Sequence, residues 1–182
     1  FFPVIDELKM TEMKNAIIQA KERKDSVGGR VETFVFGLPV GLGEPLYDKL
    51  DSRLAQAIFS IPGVKAFEIG RGFDSCTAFG SENNDFYFYE DSKVKTKTNN
   101  HGGVLGGLSS PMPLVFTSGL KPTPSIGLAQ ETISLKNEVN SSLEIVGRHD
   151  PCIVPRALAV IESFAAVTIL DLMLMGGFYG GI

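Results

Sequence analysis

A chain of 182 residues that is 43% hydrophobic carries enough apolar material for one compact domain with its own core. Its formal charge is −4, with acids and bases interleaved, so no basic face is on offer to nucleic acid. Two cysteines (Cys76, Cys152) and two histidines (His101, His149), without ligand spacing, argue against a disulfide scaffold and against a metal site.

The opening Phe1-Phe2-Pro3 has no methionine and no charged region ahead of an apolar stretch, and reads as the interior of a longer polypeptide rather than a targeting sequence. With so few cysteines, a reduced, cytoplasmic protein is expected. Asp6 to Lys24 reads as an amphipathic helix. Asp6 is its N-cap, Met13, Ala16, Ile17 and Ala20 form its apolar stripe, and Lys21, Arg23 and Lys24 suit its C-terminal dipole. Gly28-Gly29 ends it, and Val31 to Phe36 reads as a strand with Val31, Thr33 and Val35 on one side. The turn-rich run Gly37 to Pro45 lacks the G-x-G-x-x-G spacing of dinucleotide sites. A second helix has Leu50, Leu54, Ala57, Ile58 and Ile61 on one stripe, and a strand over Val64 to Ile69 follows.

Residues 70–110 are polar and glycine-rich, and read as a long irregular segment of the kind that is usually functional. Within it, Asn99-Asn100-His101-Gly102-Gly103-Val104-Leu105-Gly106-Gly107 holds two glycine pairs. Bare backbone of that kind can cradle a phosphate or support a flat ring, although a pair of tight turns is the plainer reading. Met112 to Leu120 reads as a strand delivering Lys121-Pro122-Thr123-Pro124-Ser125, where a cation and two hydroxyls on a stiff turn suit phosphate. A hairpin is expected from Glu131 to Leu135 and Leu143 to Val146, around Lys136-Asn137-Glu138. The last helix starts near Pro155. Its run from Ala157 to Met175 imitates a membrane span, but Glu162 and Asp171 interrupt it. Each acid at a bilayer centre costs on the order of 2.5–3.5 kcal/mol, so a buried helix and no membrane are expected. No repeat and no linker divides the chain, which implies one unit over 1–182.

The densest chemistry lies in Gly147-Arg148-His149-Asp150-Pro151-Cys152, just before the last helix. A polar triplet pinned by proline can hold a cation and a carboxylate against a ligand. The plainer reading is that Arg148 and Asp150 pair with each other and cap the helix. Cys152 reads as a small packed residue, since no oriented base is apparent.

Taken in order, Asp25-Ser26-Val27-Gly28-Gly29, GLPVGLGEP, DKLDSRLAQAIFSI, the E-x-G-x-G-F of Glu68 to Phe73, NNHGGVLGG, KPTPS and GRHDPCIVPRA resemble the C-terminal half of chorismate synthases. The resemblance runs from about Asp25 to Glu162. It implies an α/β fold, a sandwich of antiparallel sheets with helices on the outside, assembled as a homotetramer. It also implies the 1,4-elimination of phosphate from 5-enolpyruvylshikimate 3-phosphate to give chorismate, in aromatic amino-acid (shikimate) biosynthesis. That reaction requires reduced FMN without net redox change.

By position, the resemblance assigns flavin contacts to Gly106, to Lys121, Pro122, Thr123, Pro124 and Ser125, and to Arg148, which also faces substrate. Pro62 and Gly63 fall at a further flavin position, where the family commonly has Asn-Ala or Gln-Ala. That change affects a side-chain contact more than a backbone one. Asp150 matches the aspartate that accepts or relays a proton near flavin N5, and Arg148 two residues away would favour its ionised form. His101 stands where many relatives carry alanine, and His149 does not match a catalytic histidine position. The family's G-E-S-H-G motif, second histidine and arginine-rich substrate loops are not in these 182 residues, so this polypeptide by itself is expected not to turn over substrate. A non-catalytic flavin-binding or oligomerisation module is the alternative. Self-association is expected in either case.

Overall fold

Asp6 starts the first helix as its sequence position predicts. Its Oδ1 accepts the backbone N–H groups of Leu8 (2.9 Å) and Lys9 (3.3 Å), and α1 runs Glu7–Glu22. The computed structural model describes residue 2 and residues 4–178. Its elements are mixed α/β with antiparallel hairpins. Two compact units divide the chain, one of residues up to Gly29 with Leu120–Ala157, the other of Arg30–Gly119 with the residues from Leu158 on.

In the first unit, packing covers α1 unevenly. Ala20 is buried and Met10 and Ile17 half-buried, but Met13 and Ala16 are exposed, so the expected apolar stripe is fully covered only near its C-terminal end. That end is tied down by backbone: Asp25 N–H donates to the Ala20 carbonyl (2.8 Å) and Gly127 N–H to the Lys24 carbonyl (2.9 Å). A hairpin pairs Gln130–Ser134 with Val139–Leu143, in register Gln130↔Leu143 and Ser134↔Val139. Its second strand starts four residues earlier than expected. The Asn137 N–H donates to the Ser134 hydroxyl, and Glu138 takes φ +54°, which closes the turn at once. Val139-Asn140-Ser141-Ser142 is polar and exposed, so its composition disguises a strand as a loop.

The second unit contains most of a three-stranded sheet: β1 (Gly29–Val35), β2 (Val64–Ile69) and the central β7 (Leu114–Leu120), in the order β1-β7-β2. Leu114, Phe116 and Ser118 alternate on the buried side of β7, as a period-two strand requires. Val31 is buried in β1, while Phe34 and Phe36 are exposed and stack on each other. The helix α2 (Leu50–Phe59) buries Leu50, Leu54 and Ile58 and packs on β2. With Leu42, Leu114 and Phe116 these form the core, and the Phe67 and Phe116 rings meet at 5.4 Å.

Residues 70–110 are not irregular. They fold into a 3-10 helix (Gly72–Thr77), α3 (Gly80–Asn83), a hairpin of β3 (Tyr87–Glu90) with β4 (Lys93–Thr96), and one of β5 (Val104–Leu105) with β6 (Leu108–Ser109). Both hairpins use two-residue turns with positive φ at each position, Asp91-Ser92 and Gly106-Gly107. Such turns match the right-handed twist of strands.

The last helix, α4 (Val154–Met175), is long and apolar enough to cross a membrane by length and composition. Ala157, Ile161, Ala165, Thr168, Ile169 and Leu172 lie on its buried side. Val160, Phe164, Val167, Leu170 and Leu174 are exposed, so the expectation of a buried helix applies to one face. Asp171 accepts from Arg53 of α2 at 2.6 Å, which gives that acid a partner at the protein surface.

Candidate functional site

In the first unit three stretches distant in sequence meet. The Val27 N–H donates to the Pro151 carbonyl (2.8 Å), and the Ser26 hydroxyl donates to the Thr123 carbonyl (2.7 Å). Gly28 lies so close to the chain end of β7 that an added Cβ would fall on the Leu120 carbonyl oxygen. The turn Lys121 to Ser125 is thereby held against the segment Gly147 to Cys152. His149 joins them directly: its Nδ1 is 3.2 Å from the Ser125 hydroxyl and its Nε2 is 2.9 Å from the Ile145 carbonyl.

On this frame Lys121, Pro122, Pro124 and Ser125 are exposed. The Thr123 hydroxyl is buried without a hydrogen-bond partner among the described residues. Arg148 is exposed and makes none of the side-chain hydrogen bonds or ion pairs found among the described residues. Its pairing with Asp150 does not form. Asp150 is instead matched by Arg156, from the first turn of α4, with Nη1 to Oδ2 at 3.2 Å. The other carboxylate oxygen accepts a long bond from the Cys152 N–H (3.4 Å). Burial pushes the Cys152 thiol up from its ordinary value, against a weaker opposing pull from its hydrogen bond to Val154. A buried, protonated thiol is a packing residue.

The second unit contains the remaining candidates. Gly63 follows α2 with φ +91°, beside exposed Pro62. Gly106 is at the exposed tip of the β5–β6 hairpin with φ +61°, and an added Cβ there would meet nothing within 4 Å. Behind that hairpin, the loop over 99–103 is organised by Asp85. One of its oxygens accepts from the Thr98 hydroxyl (2.5 Å) and the Asn100 N–H (2.8 Å), the other from the His101 N–H (2.9 Å). Burial alone would raise the Asp85 carboxyl, but these hydrogen bonds and the nearby imidazole outweigh it and hold the group below its ordinary value.

Gly103 N–H donates to His101 Nδ1 at 2.9 Å, so the ring proton lies on Nε2. Burial pushes His101 down, against the pull of Asp85, and leaves a neutral ring that shapes the glycine loop. Through these bonds His101 helps hold the glycine loop in place. A cavity of about 490 Å³ opens beside it, lined by Asp85, Phe86, Tyr87, His101 and Leu105 among others. Among the described residues no cluster of His, Cys, Asp and Glu is suited to a metal ion.

The sequence profile of the chorismate synthase family matches residues 1–174. The chain belongs to the chorismate synthase family. It is 47% identical over 167 residues to the chorismate synthase of Methanococcus maripaludis, with 92% of this chain and 45% of that protein covered. The enzyme of Methanocaldococcus jannaschii is 51% identical over 168 residues (92% and 44% covered), and that of Dehalococcoides mccartyi 49% over 166 residues (91% and 46%). A crystal structure of a chorismate synthase superposes with a TM-score of 0.73 at 30% identity, covering 91% of this chain and 43% of the other. The chain thus spans about half the length of the chorismate synthases it matches, and its α/β class with antiparallel sheets is that of the family.

Three residues escaped the sequence reading. Arg156 is six residues from Asp150, and only the turn into α4 brings it back. Asp85 sits in Asn83-Asn84-Asp85, where a lone acid after asparagines carries no signal of its role. Ser26 stands between Asp25 and Val27, just before Gly28-Gly29, where a short hydroxyl side chain is well suited to bond a neighbouring carbonyl.

Proposed function

We propose that this chain is part of a chorismate synthase, in which both units belong to one catalytic domain. The reaction is the elimination of phosphate from 5-enolpyruvylshikimate 3-phosphate to give chorismate, in aromatic amino-acid biosynthesis in the cytoplasm. The observation that carries the proposal is the meeting of the 121–125 turn with the 147–152 segment in a chain of this family.

The residues present fit a flavin phosphate. Lys121 brings an exposed cation, Ser125 an exposed hydroxyl, and the Thr123 hydroxyl is a buried polar group without a partner among the described residues. Pro122 and Pro124 hold that turn stiff, so little ordering entropy is lost when an anion docks. Within the second unit, taken by itself, the family positions for flavin contact are Gly106 and Gly63, which offer bare backbone, and Pro62, which offers its carbonyl and ring. Reduced FMN, when bound, supplies electron density that helps expel phosphate and recovers it afterwards.

Arg148, whose guanidinium is exposed and unpaired among the described residues, is suited to fork onto a carboxylate or phosphate of the substrate. Asp150 accepts or relays the proton that the elimination removes. Arg156 occupies its Oδ2, and the weak Cys152 contact leaves Oδ1 as the oxygen available for that step. We also assign a homotetrameric state to the assembled enzyme. The exposed apolar residues of α4 and of α1 support self-association.

Two measurements test this. Titrating FMN and following its fluorescence should give saturable quenching that is lost in Lys121→Ala and Arg148→Ala; absence of quenching overturns the flavin assignment. Chorismate formation with reduced FMN should be seen in a protein of the relatives' full length and not in the 182-residue polypeptide by itself. Turnover by the short polypeptide would show that the missing histidines are dispensable.

A further inference from the structure

His149 ties the turn that carries Ser125 to the segment that carries Arg148 and Asp150, and the tie has a direction. Its Nε2 faces the Ile145 carbonyl at 2.9 Å. A carbonyl only accepts, so the proton of the neutral ring is on Nε2. Nδ1 then has only a lone pair, and at 3.2 Å it accepts a hydrogen bond from the Ser125 hydroxyl. The hydroxyl of Ser125 therefore points its hydrogen back into the protein and its oxygen lone pairs outward, an arrangement that repels an anion.

Protonation reverses this. With hydrogens on both ring nitrogens, Nδ1–H donates to the Ser125 oxygen and frees the hydroxyl hydrogen to turn outward, with a positive charge behind it. The backbone of the turn need not move. The Ser26 hydroxyl holds the Thr123 carbonyl at 2.7 Å, and the Gln130 amide reaches the Pro124 carbonyl at 3.5 Å. Gly127 seats the ring: an added Cβ there would lie 3.2 Å from Lys24 Cβ and 3.7 Å from His149 Cδ2. The charged groups on the elements that meet at His149 are Lys24 and Asp25 after α1, Lys121 on the turn, and Glu144, Arg148 and Asp150 on its own segment.

We propose that His149 is a positioning residue that sets the polarity of the Ser125 hydroxyl toward a phosphate-bearing ligand of the 121–125 turn. Ligand binding and protonation of His149 then favour each other, with one proton taken up from solvent as the anion docks. The proposal rests on the reading of this turn as a phosphate contact.

The test is a set of FMN titrations between about pH 5 and 8, where histidine changes charge, with riboflavin (the same ring without phosphate) as control. The phosphate itself gains a proton near pH 6, which weakens binding at the acid end. Native protein and variants share that effect, so the ratio of their affinities isolates His149. For FMN, the native protein should gain about three- to tenfold over both Ser125→Ala and His149→Gln from the alkaline to the acid end. The double variant should behave like either single one, and riboflavin should show no such gain. A His149→Gln or Ser125→Ala protein that keeps the native pH profile overturns the proposal, as does the same gain with riboflavin. If Lys121→Ala leaves FMN affinity unchanged, the phosphate reading of the turn falls, and the proposal with it. That outcome is distinct from an intact Lys121 effect with an unaltered pH profile.

Discussion

Gly28 and Gly29 are neighbours of identical chemistry, yet alanine should affect them differently. An added Cβ at Gly28 would fall on the Leu120 carbonyl oxygen and lie 3.1 Å from both Lys121 C and Pro122 Cδ. All three belong to stiff backbone or a proline ring, so the strand end itself must shift. At Gly29 the same Cβ would meet Val154 Cγ2 at 3.2 Å, a methyl that gives way by a small rotation. Overpacking against unyielding atoms costs about 2–3 kcal/mol, whereas replacing glycine by alanine returns about 0.4–1 kcal/mol by restricting the unfolded chain. Gly28→Ala should therefore lose about 1–2.6 kcal/mol net, while Gly29→Ala should lie within about 0.5 kcal/mol of the native protein. For a chain of this size the Gly28→Ala loss is a drop of roughly 2–10 °C in the unfolding midpoint. Thermal unfolding followed by circular dichroism measures both. A Gly28→Ala protein as stable as Gly29→Ala would refute the steric argument, and with it the claim that this contact fixes the 121–125 turn.

Asp150→Asn in an active protein of full length should lower kcat by about 10²–10⁴-fold while FMN affinity changes little; steady-state kinetics beside a flavin titration check this. Acid should weaken the second unit in two stages. Folding holds His101 neutral, so stability is present above the ordinary histidine value near 6.5 and declines as pH falls through it. Asp85 has a depressed folded value, so its contribution is present above about 3.9 and is lost as pH falls through the folded value. Urea unfolding at a series of pH values should lose the first limb in His101→Gln and the second in Asp85→Asn. Under native conditions iodoacetamide should label exposed Cys76 and spare buried Cys152, and mass spectrometry showing both modified would contradict the packing role of Cys152.

Regular elements with strong local signals were legible in the sequence. The N-cap of α1, the stripe Leu50-Leu54-Ile58 and the strand Val64–Ile69 emerge where periodicity and capping place them. What escaped depends on partners. The β3–β4 hairpin turns on Asp91-Ser92 at positive φ, a conformation that those residue types do not announce. Alternation also misled where no second layer was present: Met13 and Ala16 have the spacing of a core face and are exposed in their unit. For the candidate site, the ordered blocks point to the turn and the polar triplet, and the structure brings both together in one unit. Within the triplet, adjacency in sequence offers Arg148 as a partner for Asp150, whereas the entry into α4 presents Arg156 instead.

The hydrogen bond from Ser26 to Thr123 joins residues 97 positions apart. Closing so long an interval gives up chain entropy before any local contact offsets it, and contacts of high sequence separation form late. On the ribosome, the stretch Arg30–Gly119 is available to fold while α1 waits without its neighbours. The turn proposed to grip phosphate gains its backing only after residue 152 has emerged. Ligand-binding competence should thus be among the last properties a growing chain acquires, and stalled chains ending before Gly147 should lack it even where the β1-β7-β2 sheet has formed.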